Sequence, residues 1–326
     1  MDFNQIKSYL QPELERVQQE MLKALATDIP LLEQTNNMLM KRSGKMVRPV
    51  LSLLIAKTYL GGPVNEDTIK LAATAELLHN ATLLHDDVAD NSNSRRGMPT
   101  IMSLLGGRAS VLLGDYWLVR AVDRIMESTC TSDRLFRVFT KTLGDLAEGE
   151  MLQLQKADTC NTTEEDYLRI IYSKTTSLFV ATAHSASISV DASEEFTQSA
   201  IEFATNLGQA FQIKDDILDY NGTDIGKPLG QDLNEQKITL PLLGAFVHSG
   251  PELEKEIRNK LVNISEHPEY QQEIVDFVKE YKGIEYAEAR LEKLAEKANG
   301  CLDRMPEGEA REYLSSLAYF VIGRKK

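Results

Sequence analysis

From Asn65 the chain reads TIKLAATAELLHNATLLHDDVAD after two acidic residues, with apolar residues on several sides and neither Gly nor Pro among them. Asn65 is a good N-cap, and Glu66 and Asp67 suit the positive end of a helix. The pattern predicts a buried helix of about 25 residues, about 37 Å long, over 65–90. The polar run NSNSRRGMPT (91–100) predicts a loop. A second long helix is predicted over 197–220, TQSAIEFATNLGQAFQIKDDILDY, stopping at the Asn221-Gly222 turn signal. Further helical stretches fall near 108–128, 133–156 and 164–188. From 251 the chain is charged and amphipathic, as in EYAEARLEKLAEKA, which predicts helices with one solvated face. No linker or low-complexity segment interrupts this pattern. The expectation is one continuous all-α domain over 1–326.

Two groups of acids break the pattern. On the first helix one face runs Ala75, His79, Thr82, Asp86, Asp90; on the second it runs Ile201, Ala204, Gly208, Phe211, Asp215, Asp219. Residues three and four apart share a face, so DDVAD (86–90) and DDILD (215–219) continue stripes that begin small or apolar. A solvated acidic face would lie opposite the apolar one. Carboxylates facing inward without a counter-charge cost several kcal/mol each, so a cation must meet them. Aspartates at i and i+4 place oxygens about 6 Å apart, and magnesium fits where phosphate completes the coordination.

Charge narrows the partners. With 49 acidic and 36 basic residues the net charge is −13, a field that repels nucleic acid. Cations nevertheless gather beside the acids: Lys45 and Arg48 in SGKMVRP, Arg95 and Arg96 after the first cluster, Lys227 and Lys237 after the second. That placement points to anion recognition, with Arg gripping phosphate oxygens in a fork. The three cysteines, Cys130, Cys160 and Cys301, form no C-x-x-C pair and are expected to be reduced and incidental. No basic leader opens the chain and no apolar run reaches roughly 18 residues; a cytoplasmic protein is expected, one that touches a membrane if its product is a lipid.

These motifs, in order, are GKMVRP (44–49), HNATLLHDDVADNSNSRRG (79–97), GDYWLVRA (114–121), SKTTSLF (173–179), GQAFQIKDDILD (208–219), GKPLGQD (226–232) and KITLP (237–241). Together they resemble the trans-prenyl diphosphate synthases over nearly the whole chain, with Ser43 and Gln236 as small departures where that family often has Gly. The resemblance implies an all-α fold, a barrel or bundle of long, mostly antiparallel helices around a deep central cavity, usually in a homodimer, with the two aspartate motifs facing each other. It implies about three Mg²⁺ ions: Asp86 and Asp90 binding two with Asp87 in support, and Asp215 a third with Asp216 and Asp219 in its shell. Allylic diphosphate would lie with Arg95, Lys174 and Lys227, and isopentenyl diphosphate with Lys45, Arg48, His79 and Arg96. Thr175, Gln212 and the backbone near Lys174 would stabilise the allylic cation.

Product length is expected to depend on the residues one turn before the first aspartate, which point into the path of a growing chain. Here they are the small Ala81 and Thr82, which suits an octaprenyl-class product used for quinone side chains, with Phe136 or Phe139 as a deeper floor. The alternatives are a farnesyl or geranylgeranyl synthase, a non-catalytic subunit of a two-chain synthase (which would degrade an aspartate motif), a terpene cyclase (which needs no GKMVRP), and a helical scaffold.

Overall fold

The computed structural model describes residues 2–42, 44–95, 97–130, 132–221 and 230–324. Its order is helical almost throughout: α1 Phe3–Tyr9, α2 Gln11–Ala24, α3 Pro30–Lys41, α4 Val47–Leu60, α5 Glu66–Ala89, a ribbon of β1 Ser94–Arg95 and β2 Met98–Pro99, then α6 Ile101–Leu105, α7 Gly107–Met126 and α8 Asp133–Thr159. There follow α9 Glu164–Ile171, a π turn Tyr172–Thr176, α10 Ser177–Ser189, α11 Glu194–Asn221, α12 Gln231–Asn234, α13 Leu240–Ser249, α14 Pro251–Val262, α15 Glu269–Glu280, α16 Gly283–Leu302 and α17 Glu309–Gly323. The chain clusters into two compact units. One comprises Met1–Phe139, Ala181–Ala200 and Met305–Leu314; the other comprises Thr140–Val180, Ile201–Arg304 and Ser315–Lys326.

In the first unit α5 is the central element. The Asn65 side chain accepts from the Thr68 amide at 2.8 Å, a cap worth about 1 kcal/mol. Beyond it Leu71, Ala72, Ala73, Leu77 and Leu78 are buried on different sides, each leucine contributing about 1.5–3 kcal/mol by leaving water. The helix packs on α2, α4 and α7. Its long neighbour α7 approaches closely at Gly114, where a Cβ would stand 2.4 Å from the His85 ring.

The expected loop at 91–100 instead holds the short antiparallel ribbon, with Ser94 opposite Pro99 and Arg95 opposite Met98. Gly97, at φ +74°, supplies a left-handed backbone that other residues rarely adopt. The ribbon carries Arg95 back over the end of α5.

In the second unit the helix expected over 164–188 is broken by the π turn Tyr172–Thr176. A Cβ on Gly149 of α8 would lie 2.6 Å from the Ser173 Cβ, and one on Gly208 of α11 would lie 2.9 Å from the Thr176 Cα. Both glycines let the widened turn press against neighbouring helix backbones. Elsewhere in this unit α13 packs on α16, where a Cβ on Gly283 would fall 2.0 Å from the Pro241 carbonyl oxygen.

Candidate active site

The first cluster sits on the last turn of α5. Its stripe passes from fully buried Ala75 to half-buried His79, Thr82, Asp86 and Asp90. Asp87, one step off that stripe, is the buried acid at 5 % exposure. It accepts from Arg95 Nε at 2.8 Å, so a carboxylate turned into the protein carries its own counter-charge. Asp90 closes the helix, its amide donating to the Asp86 carbonyl at 2.8 Å. One turn earlier Ala81 is buried, and the Thr82 hydroxyl donates to the His79 carbonyl at 2.8 Å. In the same unit Lys45 is exposed just before α4, and Arg48, in the first turn of α4, is buried. Phe139 is buried, whereas Phe136 retains part of its surface.

The second cluster sits near the end of α11. Asp215 and Asp219 are half-buried, and Asp216 is buried at 3 % exposure. Both oxygens of Asp216 are engaged: Oδ2 accepts from the Tyr167 hydroxyl at 2.5 Å, and Oδ1 accepts from Gln212 Nε2 at 2.8 Å. Gln212 Oε1 in turn accepts from the Thr175 hydroxyl at 2.7 Å. Asp215 pairs with Arg324 at 2.8 Å. The buried Arg324 guanidinium also lies over the Phe211 ring, 3.8 Å from its centroid. Asp219 accepts from the Gln231 and Asp232 amides, each at 3.1 Å, and so anchors the start of α12.

The widened turn places Lys174 and Thr175 on this side. Lys174 pairs with Glu150 at 2.7 Å, and Lys237 pairs with Glu235. A cavity of about 150 Å³ is lined by Tyr167, Lys174, Thr175, Gln212, Asp232 and Lys237, among others. Of the basic residues singled out by sequence, Arg96 and Lys227 lie outside the described residues.

Burial dominates the electrostatics of this second cluster. Burial pushes the Asp216 carboxyl up to about 7 against the pull of its Tyr167 and Gln212 hydrogen bonds, with Asp215 and Asp219 raising it further. Asp232 keeps some exposed surface, yet burial raises it well above the usual carboxylate range, helped by Asp216 and Asp219 and opposed by Lys237. A hard cation with oxygen ligands fits such a donor set. Among the described residues no three acidic, histidine or cysteine groups converge into a cage of their own.

Sequence reasoning missed Tyr167, Glu150 and Arg324. It quoted Asp232 at the end of GKPLGQD without giving it a role; an acid in a motif otherwise read for its cations was the available signal.

Comparison with known proteins agrees with the arrangement. The family model for polyprenyl synthetase matches residues 29–278. The octaprenyl diphosphate synthase of Escherichia coli is 34 % identical, with 100 % of both chains covered. A decaprenyl diphosphate synthase from Rhodobacter capsulatus superposes with a TM-score of 0.92 at 31 % identity, covering 99 % of each chain. A polyprenyl synthase from Caulobacter crescentus, solved with calcium and isoprenyl diphosphate, gives a TM-score of 0.91 at 30 % identity over 100 % of this chain and 98 % of that one. The all-α isoprenoid-synthase fold expected from sequence is therefore the fold observed.

Proposed function

The chain belongs to the polyprenyl synthetase family and is a prenyltransferase; from that premise we propose that it adds isopentenyl diphosphate repeatedly to an allylic diphosphate, giving an all-trans product of octaprenyl class. The observation that carries the long product is the pair Ala81 and Thr82, small side chains one turn before Asp86, together with relatives named for octaprenyl and decaprenyl products. The whole chain, 1–326, acts as one synthase domain, and the family match runs through segments of both compact units.

Asp86, Asp90 and Asp215 would hold about three Mg²⁺ ions, with Asp87, Asp216 and Asp219 fixed behind them. The calcium in the Caulobacter structure supports a hard divalent ion in this family. When bound, magnesium supplies the positive charge that makes diphosphate a competent leaving group. Arg95, Lys174 and Lys227 grip the allylic diphosphate, Lys45, Arg48, His79 and Arg96 hold isopentenyl diphosphate, and Lys237 adds positive charge for substrate binding. As the allylic C–O bond breaks, the Thr175 hydroxyl, the Gln212 amide and the backbone near Lys174 offer dipoles that stabilise the cation without trapping it. The double bond of isopentenyl diphosphate attacks the cationic carbon, a C–C bond forms, and a proton leaves to the departing diphosphate.

No helix among the described residues is long and apolar enough to cross a membrane. The enzyme is proposed to work in the cytoplasm, meeting a membrane to release a product destined for quinone side chains. A homodimer is supported by Leu112, Val119 and Met126, seven apart on α7 and 60 %, 57 % and 58 % exposed, an apolar stripe that a second copy would cover. Labelled isopentenyl diphosphate, geranyl and farnesyl diphosphate primers, and chromatography of the products test the reading. Octaprenyl-class product is expected; arrest at farnesyl would overturn the chain length.

A further inference from the structure

Asp216 belongs to the second aspartate motif by sequence, yet each of its carboxylate oxygens already accepts a hydrogen bond from within the protein. Tyr167 donates to Oδ2 at 2.5 Å and Gln212 Nε2 donates to Oδ1 at 2.8 Å. The consequence runs one residue further. Both of these hydrogen bonds run towards the carboxyl, so the Gln212 amide presents its NH₂ to Asp216 and turns its carbonyl oxygen away. That oxygen faces the Thr175 hydroxyl at 2.7 Å. An amide carbonyl only accepts, so the Thr175 proton is committed to Gln212 and the Thr175 lone pairs are left for the cavity that both residues line. Resting on the function proposed above, we infer that Tyr167 and Asp216 are positioning residues: their hydrogen bonds fix the polarity of the Gln212 amide and hence turn the Thr175 oxygen, rather than its proton, towards the developing allylic cation.

The relay fits its surroundings. Tyr167 comes from α9, Thr175 from the π turn, and Gln212 and Asp216 from successive turns of α11, so three elements must agree for the chain of donors to close. Burial and the neighbouring Asp216 raise the Tyr167 phenol well above its ordinary value, which keeps it a donor throughout the working range. A flipped amide would aim NH₂ at the Thr175 hydroxyl, free the hydroxyl proton, and place positive hydrogen where positive charge forms.

The test uses the full-length enzyme with Tyr167→Phe, Asp216→Asn and the double variant, each checked by thermal melting for folding. Expected is a fall in kcat of about 10- to 100-fold, the scale of a misplaced catalytic group, with KM for both substrates and the Mg²⁺ concentration for half-maximal rate within twofold of wild type. The double variant should be no slower than the slower single one, because both cut the same relay. A tenfold rise in the Mg²⁺ requirement of Asp216→Asn would make Asp216 a metal ligand and overturn the relay. So would wild-type kcat in Tyr167→Phe, or multiplied effects in the double variant. A wild-type enzyme that transfers no prenyl group at all would defeat the functional reading and the relay with it, whereas an active wild type with unaffected variants defeats the relay alone.

Discussion

The two aspartate clusters share a spacing and divide their labour in the same way, but they solve the problem of their middle residue by different means. In each, the outer acids (Asp86 and Asp90, Asp215 and Asp219) are half-buried, and the second acid (Asp87, Asp216) is buried. Asp87 meets a full positive charge, the Arg95 guanidinium at 2.8 Å. Asp216 meets two neutral donors, Tyr167 and Gln212. A carboxylate neutralised by arginine depends on one strong partner and tolerates little change there. A carboxylate held by neutral dipoles has no full counter-charge of its own, and burial, with the neighbouring Asp215 and Asp219 carboxylates, shifts Asp216 upwards.

The outer acids should give the largest effects. Asp86→Ala and Asp215→Ala are each expected to lower kcat about 1000-fold, equivalent to roughly 4 kcal/mol of transition-state stabilisation, with little change in unfolding free energy. Stopped-flow or radiolabel assays over a Mg²⁺ series check this; intact prenyl transfer by Asp86→Ala would remove the metal assignment. The contrast between the middle acids comes next. Arg95→Leu strands a buried charge and should cost about 2–3 kcal/mol in urea unfolding, discounted because Arg95 is 37 % exposed. Tyr167→Phe should cost about 1 kcal/mol, the worth of one hydrogen bond. Equal losses would mean the two aspartates are held alike.

The glycines beside the clusters sharpen the comparison at a smaller scale. Gly208→Ala drives a Cβ against the Thr176 backbone, and about 1–3 kcal/mol of strain is expected. Gly114→Ala meets only the His85 ring, a side chain that can turn aside, and its cost should be less than half as large. Thermal melts of the two variants side by side decide it. The smallest expected effect on rate is also the most visible in product. Ala81→Phe, one turn below Asp86, should shorten the polyprenyl chain while leaving the first condensation nearly as fast. Unchanged length on chromatography would count against placing Ala81 in the path of the chain.

Much of this was legible locally. The helix expected over 65–90 is α5, capped by Asn65 as its side chain suggests, and the acidic turns fall where their periodicity puts them. The stripe argument did not rank the acids by depth, however. Periodicity assigns a direction to Asp86 and Asp90 but has no knowledge of what lies opposite, and it is Asp87 and Asp216 that are enclosed. The partners that enclose them come from elsewhere: Tyr167 stands 49 residues from Asp216, and Arg324 lies at the far end of the chain from Asp215. No local pattern marks a tyrosine on a helix as the hydrogen-bond donor of a distant carboxylate. The β ribbon was hidden for a similar reason, since two residues per strand are too few for alternation to show.

The π turn at Tyr172–Thr176 sets a limit on how this enzyme can vary. A π turn is an α-helix that has absorbed an extra residue, and each residue of an α-helix turns the face by about 100°. Deleting one residue there would leave helical hydrogen bonding intact and the composition almost untouched. Every side chain beyond the deletion would nonetheless swing by about a quarter turn relative to those before it, carrying Thr175 away from Gln212. A substitution in this stretch changes one side chain, whereas a change in its length re-aims every side chain that follows.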